Sequence, residues 1–271
     1  MFHLFTHAFF KALLFLGSGS VIHAFKDEQN INNMGGVWKK LPYTYALMII
    51  GTLALTGFPF LSGFYSKDAI IEFAYLKGNT TGYYAAGIGI ITAFLTSIYS
   101  WRLIFKTFHG EYNNKEIKIE ETHESPLVML VPLFILSIGA VFAGFLFKGL
   151  FIGHGENLFW AESIKFLEPL STEHPPLWFL LLTPCLVLLS IPIAYYLFVK
   201  NKELPNSIAS MNKPLYNFLV NKWYFDELYD VLFIKSSKKL GLFLWKFCDG
   251  TIIDGFGPDG ISSFIKKCSI K

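Results

Sequence analysis

The chain has 271 residues, 53% of them apolar and 18% aromatic, and carries a formal net charge of +3. That apolar fraction, with a positive mean hydropathy, excludes an ordinary water-solvated domain and points to a bilayer as solvent. The excess positive charge is scattered over loops without a basic stripe of interleaved aromatics, which argues against nucleic acid as a partner; the distant Cys185, Cys248 and Cys268 form no CxxC pair that would hold an iron–sulfur cluster or zinc.

In chain order, apolar runs fall near 2–23, 43–75, 83–107, 127–148 and 177–199. Each reaches roughly the 20 residues with which a helix crosses a hydrocarbon core about 30 Å thick. The expected fold is all-α: a polytopic membrane part over residues 1–200, with about five transmembrane helices of which one is discontinuous, and an amphipathic helix over residues 201–271.

The first span opens with "FHLFTHAFFKALLFL" (2–16), an apolar run with His3, His7 and Lys11 at every fourth position. Such positions advance by about 40° on a helix, so the three side chains share an arc of roughly 80° over about 12 Å of rise. A lysine near the bilayer centre costs about 2.5–3.5 kcal/mol on insertion scales. Snorkelling explains Lys11 poorly, because apolar helix extends on both sides of it. A haem or metal reading of His3 and His7 lacks further ligands and meets the charge of Lys11. The sharper reading is a proton relay, since histidine exchanges protons near neutral pH and a desolvated lysine can do so too. Met1 opens directly into this span without the basic flank of a signal peptide, so the start is expected to lie inside a longer membrane protein. "GSGS" (17–20) lies within the span and lacks the strand, turn and helix of a dinucleotide site.

Lys26, Lys39, Lys40, Lys115 and Lys118 fall in loops on one side of the membrane, against Lys77 and Lys165 on the other. The positive-inside rule puts the first side, and the residues after Val199, in the cytoplasm or its equivalent compartment. The run 43–75 is too long for one ordinary crossing, and "GFPFLSGFYSKD" within it holds Gly57, Pro59 and Gly63. Proline removes a backbone donor and clashes with the preceding turn, which predicts two half-helices joined by unwound backbone. Such backbone at membrane depth needs protein or a water-filled cavity around it, and it marks ion pathways in transporters. Lys67 and Asp68 follow this break as candidate proton-handling residues, with a plain helix-start cap as the competing reading. Arg102, Lys106 and His109 end the third span as interface anchors, and Glu72 and Tyr99 remain open.

In the appendage, apolar residues from Leu215 through Phe218, Leu219, Phe225, Leu228, Leu232 and Leu240 to Phe247 recur mostly at helical spacing. A continuous helix from about Pro214 to Phe247 would be on the order of 50 Å long and suits a position along the membrane or along partner proteins. "CDGTIIDGFGPDG" does not match a calcium loop and is expected to break the helix.

The stretches "FHLFTHAFFKALLFLGSGSVIHA" and "MGGVWKKLPYTYALMIIGTLALTGFPFLSGFYSKD", with "FHG", "NKWYFDELYD" and "FLWKFCDGTIIDGFGPDG", resemble the large antiporter-like subunit family of respiratory NADH:quinone oxidoreductase (complex I), subunit L. The resemblance covers essentially the whole chain but the C-terminal part of the family's sequence. It implies upstream helices with a glutamate–lysine pair and a further transmembrane helix after Lys271, so the 271 residues alone are not expected to pump. It implies that His3, His7 and Lys11 belong to a mid-membrane hydrophilic axis, and that Lys67, with Asp68 beside it, lies on the proton route toward the outer side. From about Asn206 to Lys267 it implies a lateral helix against sister antiporter-like subunits, with Asp226, Glu227 and Asp230 at its start. No cofactor is implied on this chain; NADH, FMN, iron–sulfur clusters and quinone belong to other subunits. The implied location is a bacterial inner membrane or the mitochondrial inner membrane. Two alternatives are the large subunit of a multisubunit sodium/proton antiporter and a structural clamp of the membrane arm.

Overall fold

The computed structural model describes residues 1–115, 117–152, 155, 159–161, 163 and 175–270. Lys165 and most of the fourth loop expected at 151–176 lie outside these residues. The chain divides into two compact units, Met1–Pro205 and Asn206–Lys271.

The first unit contains helices α1 (Phe2–Ala24), α2 (Pro42–Thr56), α3 (Ser62–Leu76), α4 (Thr80–Ile104), α5 (Leu127–Ile152) and α6 (Leu177–Tyr195). Wide π-turns extend α4 to His109 and α6 to Lys200. With these extensions α1, α4, α5 and α6 are each long and apolar enough to cross a membrane. Helices α2 and α3 have 15 residues each and meet at the break expected within 43–75; with the four long helices they give the expected polytopic all-α fold.

The break has a local cause. Gly57, at φ 84°, ends α2: its N–H donates to Ala54 O and that of Phe58 to Leu53 O, the paired bonds of a left-handed helix stop. Pro59 follows and cannot donate to a continuing ladder. The helix restarts at Ser62, and its first turn lies against the last turn of α2, where a Cβ on Gly63 would stand 1.8 Å from Ala54 O.

Lipid offers helices no hydrophobic drive toward one another, so close van der Waals contact and interhelical hydrogen bonds hold such bundles together. Gly51 admits Leu13 and Leu14 of α1, Gly17 admits Met48, and Gly139 admits Phe9. Around these contacts Phe10 and Leu13 pack with Leu47, Ala54, Leu133 and Ala140 in the middle of the bundle. A second cluster forms at the end of the bundle that carries the α1–α2 loop, from Phe25, Val37, Leu41, Ile104 and Phe108. Polar pairs cross between helices as Ser20 with Thr44, 2.9 Å apart, and Ser190 with Ser97. The outward faces stay apolar, with Ile88, Ile91 and Leu95 of α4 and Ile135, Ile138 and Phe142 of α5 exposed.

At this same end Glu124 caps α2. Its carboxylate accepts the backbone N–H groups of Tyr43 at 2.9 Å and Thr44 at 3.2 Å and the hydroxyl of Thr44. Glu28, Glu111 and Glu121 tie down the loops there. Asn33 and the Asn30 amide hold the Glu28 carboxyl below its usual range, Lys202 does the same for Glu111, and Lys26 for Glu121.

The second unit carries helices α8 (Lys213–Val220), α9 (Phe225–Tyr229), α10 (Lys235–Phe243) and α11 (Pro258–Ser269), after α7 (Glu203–Met211), which spans the boundary between the units. The single continuous helix expected from Pro214 to Phe247 is interrupted. Lys222, Trp223 and Tyr224 adopt φ of 52°, 62° and 56°, a left-handed turn in non-glycine residues that ends one helix and starts the next. Beyond it, Asp230–Ile234 and Leu244–Asp254 are wound in wide π-turns. Residues five apart then meet: Lys235 Nζ lies 2.7 Å from Asp230 Oδ2, and the Ser236 hydroxyl donates to Val231 O. The apolar stripe survives as ring pairs Phe225–Tyr229, Tyr229–Phe233 and Phe243–Phe247. In "CDGTIIDGFGPDG" the break falls at Gly257, and Pro258 opens the final helix.

Candidate functional site

On α1, His3, His7 and Lys11 line one face while their neighbours Thr6, Phe10 and Leu13 point into the bundle. The rings of His3 and His7 are adjacent, with centroids 5.7 Å apart, and Phe10 packs against both. Lys11 stands apart from them: its Nζ lies 5.7 Å from the centroid of the Phe15 ring, one turn along the helix.

The line of α1 meets α3 near the N-terminal end of α1. His3 Nδ1 lies 2.9 Å from Ser66 Oγ, and Thr6 Oγ1 lies 2.7 Å from the same oxygen. Thr6 and Ser66 are buried to 0% and 1% exposure, so no solvent competes for these bonds. Ser66 immediately precedes Lys67, and the first polar line is thereby joined to the half-helix that carries the second.

Lys67 reaches back across the break. Its Nζ donates to the Thr56 carbonyl at 3.3 Å, at the C-terminal end of α2. The unpaired carbonyls of a helix C-terminus carry partial negative charge, which favours a cation there. The other flank of Lys67 borders a groove of about 490 Å³ between α3 and α4, lined with Ile70, Ile71, Tyr84, Ile88 and Thr92. Among the described residues lining that groove, Lys67 is the charged one.

Asp68 points elsewhere: it is 8% exposed, and its buried Oδ1 has no hydrogen-bond partner among the described residues. An orphaned acceptor of this kind is a place for a water or a proton. Ser62 fastens the start of α3 to α5. Its hydroxyl donates to Gly139 O at 2.9 Å and accepts the Gly144 N–H at 2.8 Å.

Arg102, Lys106 and His109, the expected interface anchors, have specific partners: Arg102 stacks over Phe198, Lys106 donates to Asn32, and His109 Nε2 lies 2.8 Å from the Tyr45 hydroxyl. Tyr99 is exposed. Among the described residues no three His, Cys, Asp or Glu side chains converge as metal ligands.

Thr6, Ser62, Ser66 and the Thr56 carbonyl are the parts that sequence reasoning missed. The signal for two of them was proximity: Thr6 sits between His3 and His7 in "FHLFTHAFF", and Ser66 precedes Lys67 in "YSKD".

Residues 1–102 match the family model described as NADH:quinone oxidoreductase/Mrp antiporter, TM, and residues 99–271 match NADH dehydrogenase subunit 5 C-terminus. The chain is 43% identical to NADH-ubiquinone oxidoreductase chain 5 of Phytophthora infestans over 99% of its own length and 41% of that protein's. It is 39% identical to NADH-quinone oxidoreductase subunit L of Rhodobacter capsulatus, over 94% of its own length and 45% of the relative's. Chain 5 of Marchantia polymorpha is 41% identical over 98% of this chain and 41% of the relative. The chain thus spans less than half the length of these relatives.

Proposed function

The chain belongs to the NADH:quinone oxidoreductase/Mrp antiporter membrane family, in its subunit 5 branch, and from that membership we propose that it is the C-terminal part of a proton-translocating subunit of NADH:quinone oxidoreductase. The observation that carries the reading is the hydrogen bond from His3 to Ser66, which joins the polar line of α1 to the half-helix bearing Lys67.

In this reading Lys11, His7 and His3 hand protons along α1, and Lys67 passes them toward the outer side with Asp68 beside it. Buried basic groups that trade protons in small steps are the expected construction of a conduit through hydrocarbon. Lys67 is suited to a gating role because its ammonium rests on the Thr56 carbonyl while its flank borders the groove, so two environments lie within reach of one flexible arm. Electron transfer, with NADH, FMN, iron–sulfur clusters and quinone, belongs to other subunits, and redox energy released there drives the proton steps here. The sister antiporter-like subunits are the proposed partners along the second unit.

A sodium/proton antiporter is the less favoured reading, because the subunit 5 match extends over residues 99–271 and so takes in the whole amphipathic unit.

The test is made in the full-length protein within its complex. Lys11→Ala and Lys67→Ala, reconstituted into vesicles, should each lower proton uptake per NADH by about tenfold, the equivalent of roughly 1.4 kcal/mol in a barrier, with assembly intact. Wild-type pumping in both variants would overturn the assignment.

A further inference from the structure

His3 meets the half-helix of Lys67 at Ser66, whose hydroxyl also contacts that of Thr6; no proton path strictly requires this pair. Ser66 Oγ has four partners within reach: His3 Nδ1 at 2.9 Å, Thr6 Oγ1 at 2.7 Å, Ser62 O at 3.2 Å and Gly63 O at 3.4 Å. Thr6 Oγ1 lies in turn 3.2 Å from the His3 carbonyl. A hydroxyl owns one proton to donate, and neutral imidazole has one donor nitrogen and one acceptor. With the Ser66 proton kept between His3 and Thr6, its two shortest contacts, rather than on the Ser62 or Gly63 carbonyl, two arrangements are consistent.

In the first, Thr6 donates to Ser66 and Ser66 donates to His3 Nδ1, so the imidazole proton sits on Nε2. In the second, His3 Nδ1–H donates to Ser66, Ser66 donates to Thr6, and Thr6 donates to the His3 carbonyl. The second serves both the Nδ1–H tautomer and the imidazolium. Reversing both hydroxyls together converts one arrangement into the other, and every buried donor keeps an acceptor in each.

We infer that Thr6 and Ser66 are positioning residues that commit His3 Nδ1 to this hydroxyl pair, tie the tautomer of His3 to the first turns of α3, and leave Nε2 as the nitrogen that exchanges protons. The inference rests on the proposed proton path and adds a direction to it: protons enter and leave His3 at one atom, while the opposite nitrogen reports its state to the half-helix ahead of Lys67. No proton travels onward through Thr6, whose one other acceptor besides Ser66 is the His3 backbone carbonyl. The burial of both hydroxyls makes the coupling tight, because water cannot stand in for a missing partner.

The experiment compares variants of the full-length protein in the assembled complex, reading proton uptake alongside NADH:quinone turnover. Thr6→Val keeps the shape and removes the hydroxyl; Thr6→Ser keeps the hydroxyl; Ser66→Ala removes the partner of Nδ1. Uptake per NADH should fall about three- to tenfold in Thr6→Val and Ser66→Ala, the span of one neutral hydrogen bond, and return to near the wild-type value in Thr6→Ser. Lys67→Ala serves as the control for the path itself. If Lys67→Ala lowers uptake while Thr6→Val and Ser66→Ala do not, the hydroxyl pair is overturned and the path stands. If Lys67→Ala leaves uptake unchanged, both fall. Equal losses in Thr6→Val and Thr6→Ser, or failure of both hydroxyl-free variants to assemble, would assign the pair to packing and overturn the inference.

Discussion

At the scale of single residues, the two glycines of the break do different work, and their substitutions separate it. Gly57 needs its positive φ of 84°, but a Cβ there would meet no more than Lys67 Cδ at an ordinary 3.7 Å. Gly57→Ala should therefore cost about 1 kcal/mol, the conformational penalty alone. Gly63 has an ordinary φ, yet its Cβ would stand 1.8 Å from a backbone carbonyl that cannot rotate away. Gly63→Ala should cost more, toward the top of the roughly 1–3 kcal/mol range of overpacking. Thermal unfolding of the two variants in detergent checks the order; a Gly63→Ala midpoint equal to or above that of Gly57→Ala would contradict the crossing described. The polar residues of α1 were legible in the sequence because a histidine or lysine among leucines and phenylalanines is conspicuous, and the helical period places it. Thr6 and Ser66 were not. Serine and threonine in membrane helices routinely bond a carbonyl of their own helix, as Ser18 does to Leu14 and Ser100 to Thr96. Nothing in the residue type separates those from a hydroxyl that reaches another helix.

At the scale of elements, the start of α2 depends on an acid some eighty positions away in the chain. Glu124 satisfies two backbone donors that the helix leaves unpaired. Glu124→Ala should destabilise the first unit by about 1 kcal/mol, in the usual range for a lost N-cap, while Glu124→Gln, which keeps an acceptor, should recover most of it; equal midpoints for the two variants would show that the cap contributes nothing. The loop after α1 makes a pH prediction. The Glu28 carboxyl is half-buried and is held below its usual range by Asn33 and Asn30. A depressed carboxylate lends its support above the ordinary glutamate range, near pH 4, and loses it as pH falls through the lower folded value. Amide exchange at Asn30, whose N–H donates to Glu28 Oε1 at 2.7 Å, should keep constant protection from pH 7 to about 5 after correction for the intrinsic rate, and lose it below about 4. Loss of protection between pH 7 and 6 would point to a histidine instead. Among the elements, the broken crossing was legible from Gly57, Pro59 and Gly63, whose effects are local. The interruptions of the second unit were not, because Lys222, Trp223 and Tyr224 hold a left-handed turn without a glycine or proline to announce it.

At the scale of the whole molecule, the proposed function gives the two units different tasks, conduction and attachment. Ending the full-length protein's corresponding region after Pro205 distinguishes them. If the second unit only clamps, the complex dissociates, and the Lys11→Ala variant of the intact protein pumps normally; if the proton path is as proposed, Lys11→Ala lowers pumping in a complex that stays assembled. The first unit also sets what can move. Ser62 is bonded to both a carbonyl and an amide of α5, and Gly63 sits directly on Ala54. The near lip of the gap is bolted from two directions, and sliding or tilting α3 would break both fastenings at once. In the proposed path the moving part is then the Lys67 side chain, which has to leave the Thr56 carbonyl to reach the groove. Side-chain rotation runs on the picosecond-to-nanosecond scale, against microseconds to milliseconds for the displacement of a helix. A gate of that kind, if Lys67 is one, would turn faster than any helix of the frame that holds it.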